Sequence, residues 1–290
     1  MLTTVIGSYP LNYDELGADA IRQAVDDQVR AGIDLVSDGQ TRYDMIEYFA
    51  RAIEGYEFDG KSRVTARIGH ADPGEFVADF QLARSLHPRV KGIVTGPVTL
   101  VFSSLVRGGS YKGYRDASLY LDTAAALHEI ATALVAEGAE WIQIDEPFLS
   151  VGAPMDIARA AVEHVALDLG VPVALHVCGT VESIFPQLLE WSGITLLSHA
   201  FKGDNNDGVL ALDELRASDK MLGLGCVDTK TTVVDEKAHV LAVLHRATAA
   251  LPAGRVVVHP DCGMRLLPRD AAFAKMQVMV AAAMEASGTA

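Results

Sequence analysis

Cysteine is scarce, with three residues in 290. The count is odd and the spacing suggests no disulfide framework, so a small disulfide-stapled fold is excluded. Cys178, Cys226 and Cys262 read instead as free thiols of a reducing, cytoplasmic setting. Positive charge is also short. With 24 Lys and Arg against 38 Asp and Glu the formal net charge is −14, which argues against nucleic acid or an anionic membrane as the main partner. No charge-free apolar run approaches the ~18 residues of a membrane-spanning helix. The start, Met1-Leu2-Thr3-Thr4-Val5, has neither the basic region nor the apolar stretch of a secretory signal. No Gly-rich phosphate loop, linker, low-complexity tract or strong repeat interrupts the chain. What it does have is hydrophobic material: 50% of the residues, ample for a core, at a length normal for one α/β barrel.

Apolar strand-like runs alternate with helical stretches. Strands are predicted at 3–8, 34–37, 90–95, 141–144, 171–175, 194–197, 221–225 and 256–258. Helices are predicted at 15–31, 44–53, 75–86, 117–137, 155–169, 183–190, 235–249 and 270–285. The polar, Gly-rich stretch 55–75 reads as an excursion. Eight strands, each followed by helical material, imply a single (β/α)₈ TIM barrel over 1–290. A doubly wound open sheet is the alternative, and it ordinarily carries the phosphate loop missing here.

The polar residues favour one end of the strands. Ser8, Asp38, Asp145, Glu146, His176, Cys178, His199, Asp228, Asp261 and Cys262 all fall at C-terminal strand ends, the face where barrel enzymes build their sites. His176 and Cys178 are two apart and on a strand would point to the same side. With Cys262 they form an N/S/S set that suits zinc, with a position left open; the alternative is packed thiols and a capping histidine. His199 and Cys226 are within plausible reach as a fourth ligand; the alternatives are a hydrogen-bonding histidine at a strand end and, favoured for Cys226, a small core residue. Two thiolates make such a zinc a poor hydrolytic Lewis acid and a good holder of a substrate thiol, so thiol alkylation fits better than hydrolysis. Asp145-Glu146-Pro147 reads either as recognition of an ammonium group with acid/base work, or as a helix cap with Pro at the first position. Ser8 either holds a carboxylate or turns the chain before Pro10. Arg42 offers a guanidinium for a carboxylate. Asp228-Thr229-Lys230 is a site ion pair or a helix start. Asp145 and Asp228 stand as the candidate catalytic acids.

The chain resembles the C-terminal catalytic barrel of cobalamin-independent methionine synthase, in a short single-barrel form. The resemblance rests on Ile6-Gly7-Ser8-Tyr9-Pro10, Asp44-Met45-Ile46-Glu47-Tyr48-Phe49, Thr95-Gly96-Pro97-Val98-Thr99, Gln143-Ile144-Asp145-Glu146-Pro147, His176-Val177-Cys178 and Pro260-Asp261-Cys262-Gly263, in order along nearly the whole chain. It implies a barrel of the methionine synthase and uroporphyrinogen decarboxylase-like superfamily. It implies one zinc held by His176, Cys178 and Cys262, a homocysteine-type thiol, Asp145 on the substrate amino group and Ser8 at its carboxylate. Departures accompany it. The family's N-terminal barrel is not in this sequence. The family's glutamate ligand falls near Ala200, where His199 is the nearest substitute. A second glutamate falls near Gly39, where Asp38 or Gln40 stands in, and the proton-relaying histidine falls on Lys230. Loss of that histidine points to methylcobalamin or a methylated corrinoid protein as donor, because a departing cobalt(I) needs no proton whereas a folate nitrogen does. The rivals are a coenzyme M-type thiol methyltransferase, a metal-free uroporphyrinogen decarboxylase-like lyase, and a non-enzymatic binding protein.

Overall fold

A computed structural model describes residues 1–10, 17–204 and 206–288. The chain begins with β1 (Leu2–Thr3), which pairs with the last strand. Helix α1 (Ala18–Ala31) buries Ile21, Ala24 and Val25 and stops at Gly32, whose left-handed φ of 87° lets its N–H reach the carbonyls of Gln28 and Val29. The predicted start of this helix, at Glu15, lies outside the described residues. After α2 (Glu47–Ala52) come β2 (Tyr56–Phe58) and β3 (Ser62–Val64), then α3 (Gly74–Leu86), β4 (Gly92–Thr95), α4 (Pro97–Phe102) and β5 (Leu105–Val106). The remaining elements alternate: α5 (Ala117–Ala136), β6 (Ile142–Asp145), α6 (Met155–Val165), β7 (Val173–His176), α7 (Phe185–Leu189), β8 (Leu196–Ala200), α8 (Asp213–Ala217), β9 (Met221–Gly225), α9 (Lys237–Ala250), β10 (Val256–His259) and α10 (Arg269–Ala286).

Seven strands form one sheet in the order β1-β10-β9-β8-β7-β6-β4, parallel throughout. The predicted strand at 34–37 closes it with two single bridges, Leu35 to Thr4 and Val36 to Val90. The result is the expected eight-fold α/β barrel. The excursion at 55–75 is a small separate sheet: β2 and β3 form a hairpin and β5 joins β3 in parallel. Five helices and strands of the fold are not among the predicted ones: β2, β3, α4, β5 and α8. Among the described residues α5 has the length and apolar composition to cross a membrane. It packs instead on α4 and α6, with Leu119, Leu127 and Ile130 fully buried.

The barrel interior is unusual in its polarity. Ala174, Leu196 and Val257 form a small apolar cluster inside it. Around the same small enclosed cavity stand Lys91, Gln143, Ser198 and His259, all buried, where branched aliphatic layers are the norm. These four lie just below the strand ends that carry the site.

Candidate metal centre

His176 closes β7, Cys178 follows it by two residues, and Cys262 lies just beyond β10. The barrel brings all three to one mouth. The possible ligand atoms lie within 4.8 Å of one another. His176 Nε2 is 3.0 Å from Cys178 Sγ, and the two sulfurs are 3.0 Å apart. The two sulfurs are hydrogen-bonded to each other. Hydrogen bonding to Cys262 and burial hold Cys178 well above its ordinary value. The same hydrogen bond, with help from His176, pulls Cys262 far below it. Burial disfavours the His176 cation, but the neighbouring Cys262 outweighs it and raises the imidazole. This donor set fits zinc. It is one nitrogen and two sulfurs within reach of a single ion, and all three residues face an open cleft that leaves a coordination position for a further group.

The cleft encloses about 250 Å³. Asp145 is on its wall, where Gln143 Nε2 donates to its Oδ1 at 2.7 Å. Lys91 orients that amide, because both oxygens it meets only accept: Nζ donates to Gln143 Oε1 at 2.5 Å and to the Val5 carbonyl. Gln143 Nε2 is thereby turned toward Asp145 and toward the Ile6 carbonyl, 2.7 Å away. Burial raises Asp145 to about 6 and lowers Lys91 to about 7. Ser8 also lines the cleft. Its carbonyl accepts the Met264 N–H at 2.8 Å, and its hydroxyl lies 2.1 Å from where a side chain on Gly263 would begin. Glycine there lets the loop carrying Cys262 close onto Ser8. Gln40, in left-handed backbone at φ 44°, completes the predicted residues that reach the cleft.

The paired acids part company. Glu146 turns back to cap α4, its carboxylate accepting the N–H groups of Val98 and Thr99 at 2.8 Å and the Thr99 hydroxyl at 2.7 Å. A Cβ on Gly96 would lie 2.1 Å from the Glu146 carboxyl carbon. The bland reading of a capping acid therefore holds for Glu146, on a different helix from the one expected, and the site reading remains for Asp145.

Other predicted residues are elsewhere. Arg42 is clasped by Asp79, Nε to Oδ2 at 2.8 Å and Nη2 to Oδ1 at 2.5 Å, with the Tyr48 hydroxyl on the same carboxylate at 2.6 Å. Asp38 accepts the Gln40 N–H at 3.0 Å and borders a separate small cavity with Tyr48, where burial raises it to about 6. Asp228 lies outside the cleft lining and closes a local turn by accepting the Lys230 N–H at 2.7 Å. Asp261 gathers the N–H groups of Phe201, Lys202 and Gly203 and so ties down the loop after β8. His199 does not join the ligand group. Strand alternation turns Ser198 into the barrel and His199 out of it. The His199 ring meets Phe185 edge-on at 5.5 Å, its Nδ1 is 3.2 Å from the Val177 carbonyl, and burial lowers it to about 3. Cys226 is fully buried in the apolar core. Neither belongs to the group of potential ligand atoms formed by His176, Cys178 and Cys262.

Arg265 was not anticipated. It lines the cleft, with Nη1 donating to the carbonyls of Gln40 at 3.1 Å and Tyr43 at 2.7 Å. Met45 and Leu266 supply apolar wall beside it. The one sequence signal for Arg265 was its place in the same loop as Cys262.

A family model described as the catalytic domain of cobalamin-independent synthase matches residues 1–285. A methionine synthase of Methanothermobacter marburgensis is 39% identical over 312 residues, covering 98% of this chain and all of that one (100%). One from Methanothermobacter thermautotrophicus is 37% identical over 310 residues, covering 98% and 99%. A solved structure of a B12-independent methionine synthase from Shewanella sp. W3-18-1, in complex with selenomethionine, shares the fold with a TM-score of 0.88 at 24% identity, over 99% of this chain and 97% of that one.

Proposed function

The chain belongs to the cobalamin-independent synthase catalytic-domain family, is an enzyme of the methionine synthase type, and on that premise we propose that it methylates the sulfur of homocysteine in the cleft above His176, Cys178 and Cys262. The observation that carries the reading is the meeting of a soft N/S/S donor set with an acid, Asp145, on the wall of one cleft. Zinc bound there supplies a centre that keeps a substrate thiol deprotonated, and nucleophilic, at neutral pH. Asp145, held by Gln143 and Lys91, presents its second oxygen to the substrate ammonium. Ser8 and Arg265 face the carboxylate end, and Gln40 lines the approach. Met45 and Leu266 offer apolar wall to the substrate's carbon chain. The unit at work is the single barrel, 1–290, and the two close thiols call for a reducing, cytoplasmic setting if they are to hold a metal.

For the donor we favour methylcobalamin or a methylated corrinoid protein. The support is Lys230, at the position of the resembling family's proton-relaying histidine. Its Nζ is bound to Asp204 at 2.6 Å, which holds it above its ordinary value, so it keeps its proton at neutral pH. The family's description as cobalamin-independent weighs the other way. A matrix of homocysteine and coenzyme M against methylcobalamin and methyltetrahydrofolate separates the readings. Transfer to homocysteine from methylcobalamin alone is the expected result. Transfer from the folate alone removes the corrinoid, transfer only to coenzyme M replaces the substrate, and a protein that retains no zinc loses the metal reading. Cys262→Ser should lose both zinc and transfer while remaining folded by circular dichroism. Activity that survived it would overturn the ligand assignment.

A further inference from the structure

We infer that Ser198 and His259 are positioning residues for His176, forming with the Pro260 carbonyl a buried relay that decides which imidazole nitrogen faces the two thiols. The inference rests on the zinc reading for its purpose, but its geometry is independent of it. Ser198 on β8 lies beside His176 in register and reaches across the barrel interior to His259 on β10. His176 Nδ1 is 3.0 Å from Ser198 Oγ, Ser198 Oγ is 2.9 Å from His259 Nε2, and His259 Nδ1 is 2.7 Å from the Pro260 carbonyl oxygen. All three side chains are at most 2% exposed.

The direction of the relay follows from its far end. A carbonyl oxygen only accepts, so the proton of His259 is on Nδ1. Among the described residues His259 meets Ser198 and the backbone of Pro260 and Gly223 and no carboxylate, so a second proton would be an unpaired buried charge, and the neutral ring leaves a lone pair on Nε2. The Ser198 hydroxyl must therefore donate to His259, and its oxygen then accepts from His176 Nδ1–H. That leaves the lone pair of His176 on Nε2, the atom 3.0 Å from Cys178 Sγ. Space for the relay comes from Gly223 on β9. A Cβ there would lie 2.8 Å from His259 Nε2 and 2.8 Å from Ser198 Cβ, and any larger residue would push the two apart. An arrangement that serves only packing needs none of this directionality.

The test is zinc affinity, measured by chelator competition on the purified chain, with melting curves for each variant. Ser198→Ala and His259→Phe should weaken zinc about 10- to 100-fold, the usual effect of removing the outer partner of a ligating histidine. Ser198→Thr, which keeps the hydroxyl, should restore affinity to near the parent's. Long-range ¹H–¹⁵N spectra of the unaltered zinc-free protein, at a pH where His176 is neutral, should show both rings protonated at Nδ1. Parent-like affinity in folded Ser198→Ala, or protonation of His176 at Nε2, overturns the relay. If the parent takes up no zinc at all, the metal reading fails, and the spectra alone still decide the relay.

Discussion

Replacing Arg42 with alanine separates a substrate-binding guanidinium from a structural one. The Asp79 side chain is 4% exposed and that of Arg42 28%. Asp79 accepts two hydrogen bonds from Arg42 and one from Tyr48, whose ring stacks on Phe76 at a centroid distance of 4.0 Å. Without the guanidinium, Asp79 is left buried with a single donor. Breaking a buried pair from one side costs about 3–5 kcal/mol, and the partial exposure of Arg42 reduces this to about 2–3 kcal/mol. At roughly 2–4 °C per kcal/mol for a chain approaching this size, the melting midpoint should fall by about 4–12 °C. The homocysteine KM should stay within about twofold, because a contact outside the cleft is not part of substrate binding. Arg265→Ala is the counterpart. Losing a charged hydrogen bond to the substrate carboxylate, worth about 1.5–3 kcal/mol, should raise KM roughly 10- to 100-fold. Its cost in stability should be near 1 kcal/mol, since only the two carbonyls of Gln40 and Tyr43 lose a donor. The assays are a thermal melt followed by circular dichroism and initial rates over a homocysteine series. A tenfold rise in KM for Arg42→Ala with an unmoved melting curve would show that Arg42 swings into the cleft, and would refute the reasoning.

Two further outcomes are expected. His199 stays neutral in the fold at any pH above about 3, while the unfolded chain protonates it near 6.5. Its contribution to stability is therefore intact above neutrality and falls as pH drops, by about 2 kcal/mol at pH 5. His199→Phe should remove that part of the acid sensitivity in denaturant titrations at pH 8 and pH 5 and leave zinc affinity unchanged; weakened zinc would restore His199 as a ligand. Gly96→Ala should drive Glu146 off its cap and destabilise the fold by about 3 kcal/mol. In a Glu146→Ala background the same substitution should cost under about 1 kcal/mol. Equal costs in the two backgrounds would mean that the glycine serves something other than the close approach of Glu146.

The barrel was legible because most of its strands are apolar runs buried on both faces. The segment at 34–37 was legible for the same reason, even though it pairs through only Leu35 and Val36. Helix α4 was hidden because what starts it is Glu146, 50 positions beyond Gly96, a partner no local window contains. In the site, His176, Cys178, Cys262, Asp145, Ser8 and Gln40 come together because strand ends converge whatever the loops do. Arg42, Asp38 and Asp228 illustrate the limit. Residue type gives a side chain's chemistry but not which neighbour engages it, and Asp79 engages Arg42 from 37 positions away. His199 shows how one position matters in a strand: alternation gives the interior to Ser198, and the more conspicuous residue faces the other way.

The uneven closure of the barrel makes the cleft a pair of jaws. The jaw with His176, Cys178 and Cys262 stands on β7 and β10, which are laddered continuously to their neighbours. The opposite jaw, with Gln40, Asp44 and Met45, follows the strand that holds on by one bridge to each side. Side chains supplement those bridges: Thr4 Oγ1 donates to the Leu35 carbonyl at 2.7 Å, and Gln28 exchanges two hydrogen bonds with the Ser37 backbone. Arg265 spans the gap, rooted beside Cys262 and hydrogen-bonded to the carbonyls of Gln40 and Tyr43. It ties the two jaws together. A carboxylate that engages the same guanidinium would therefore draw on a side chain that already holds both jaws.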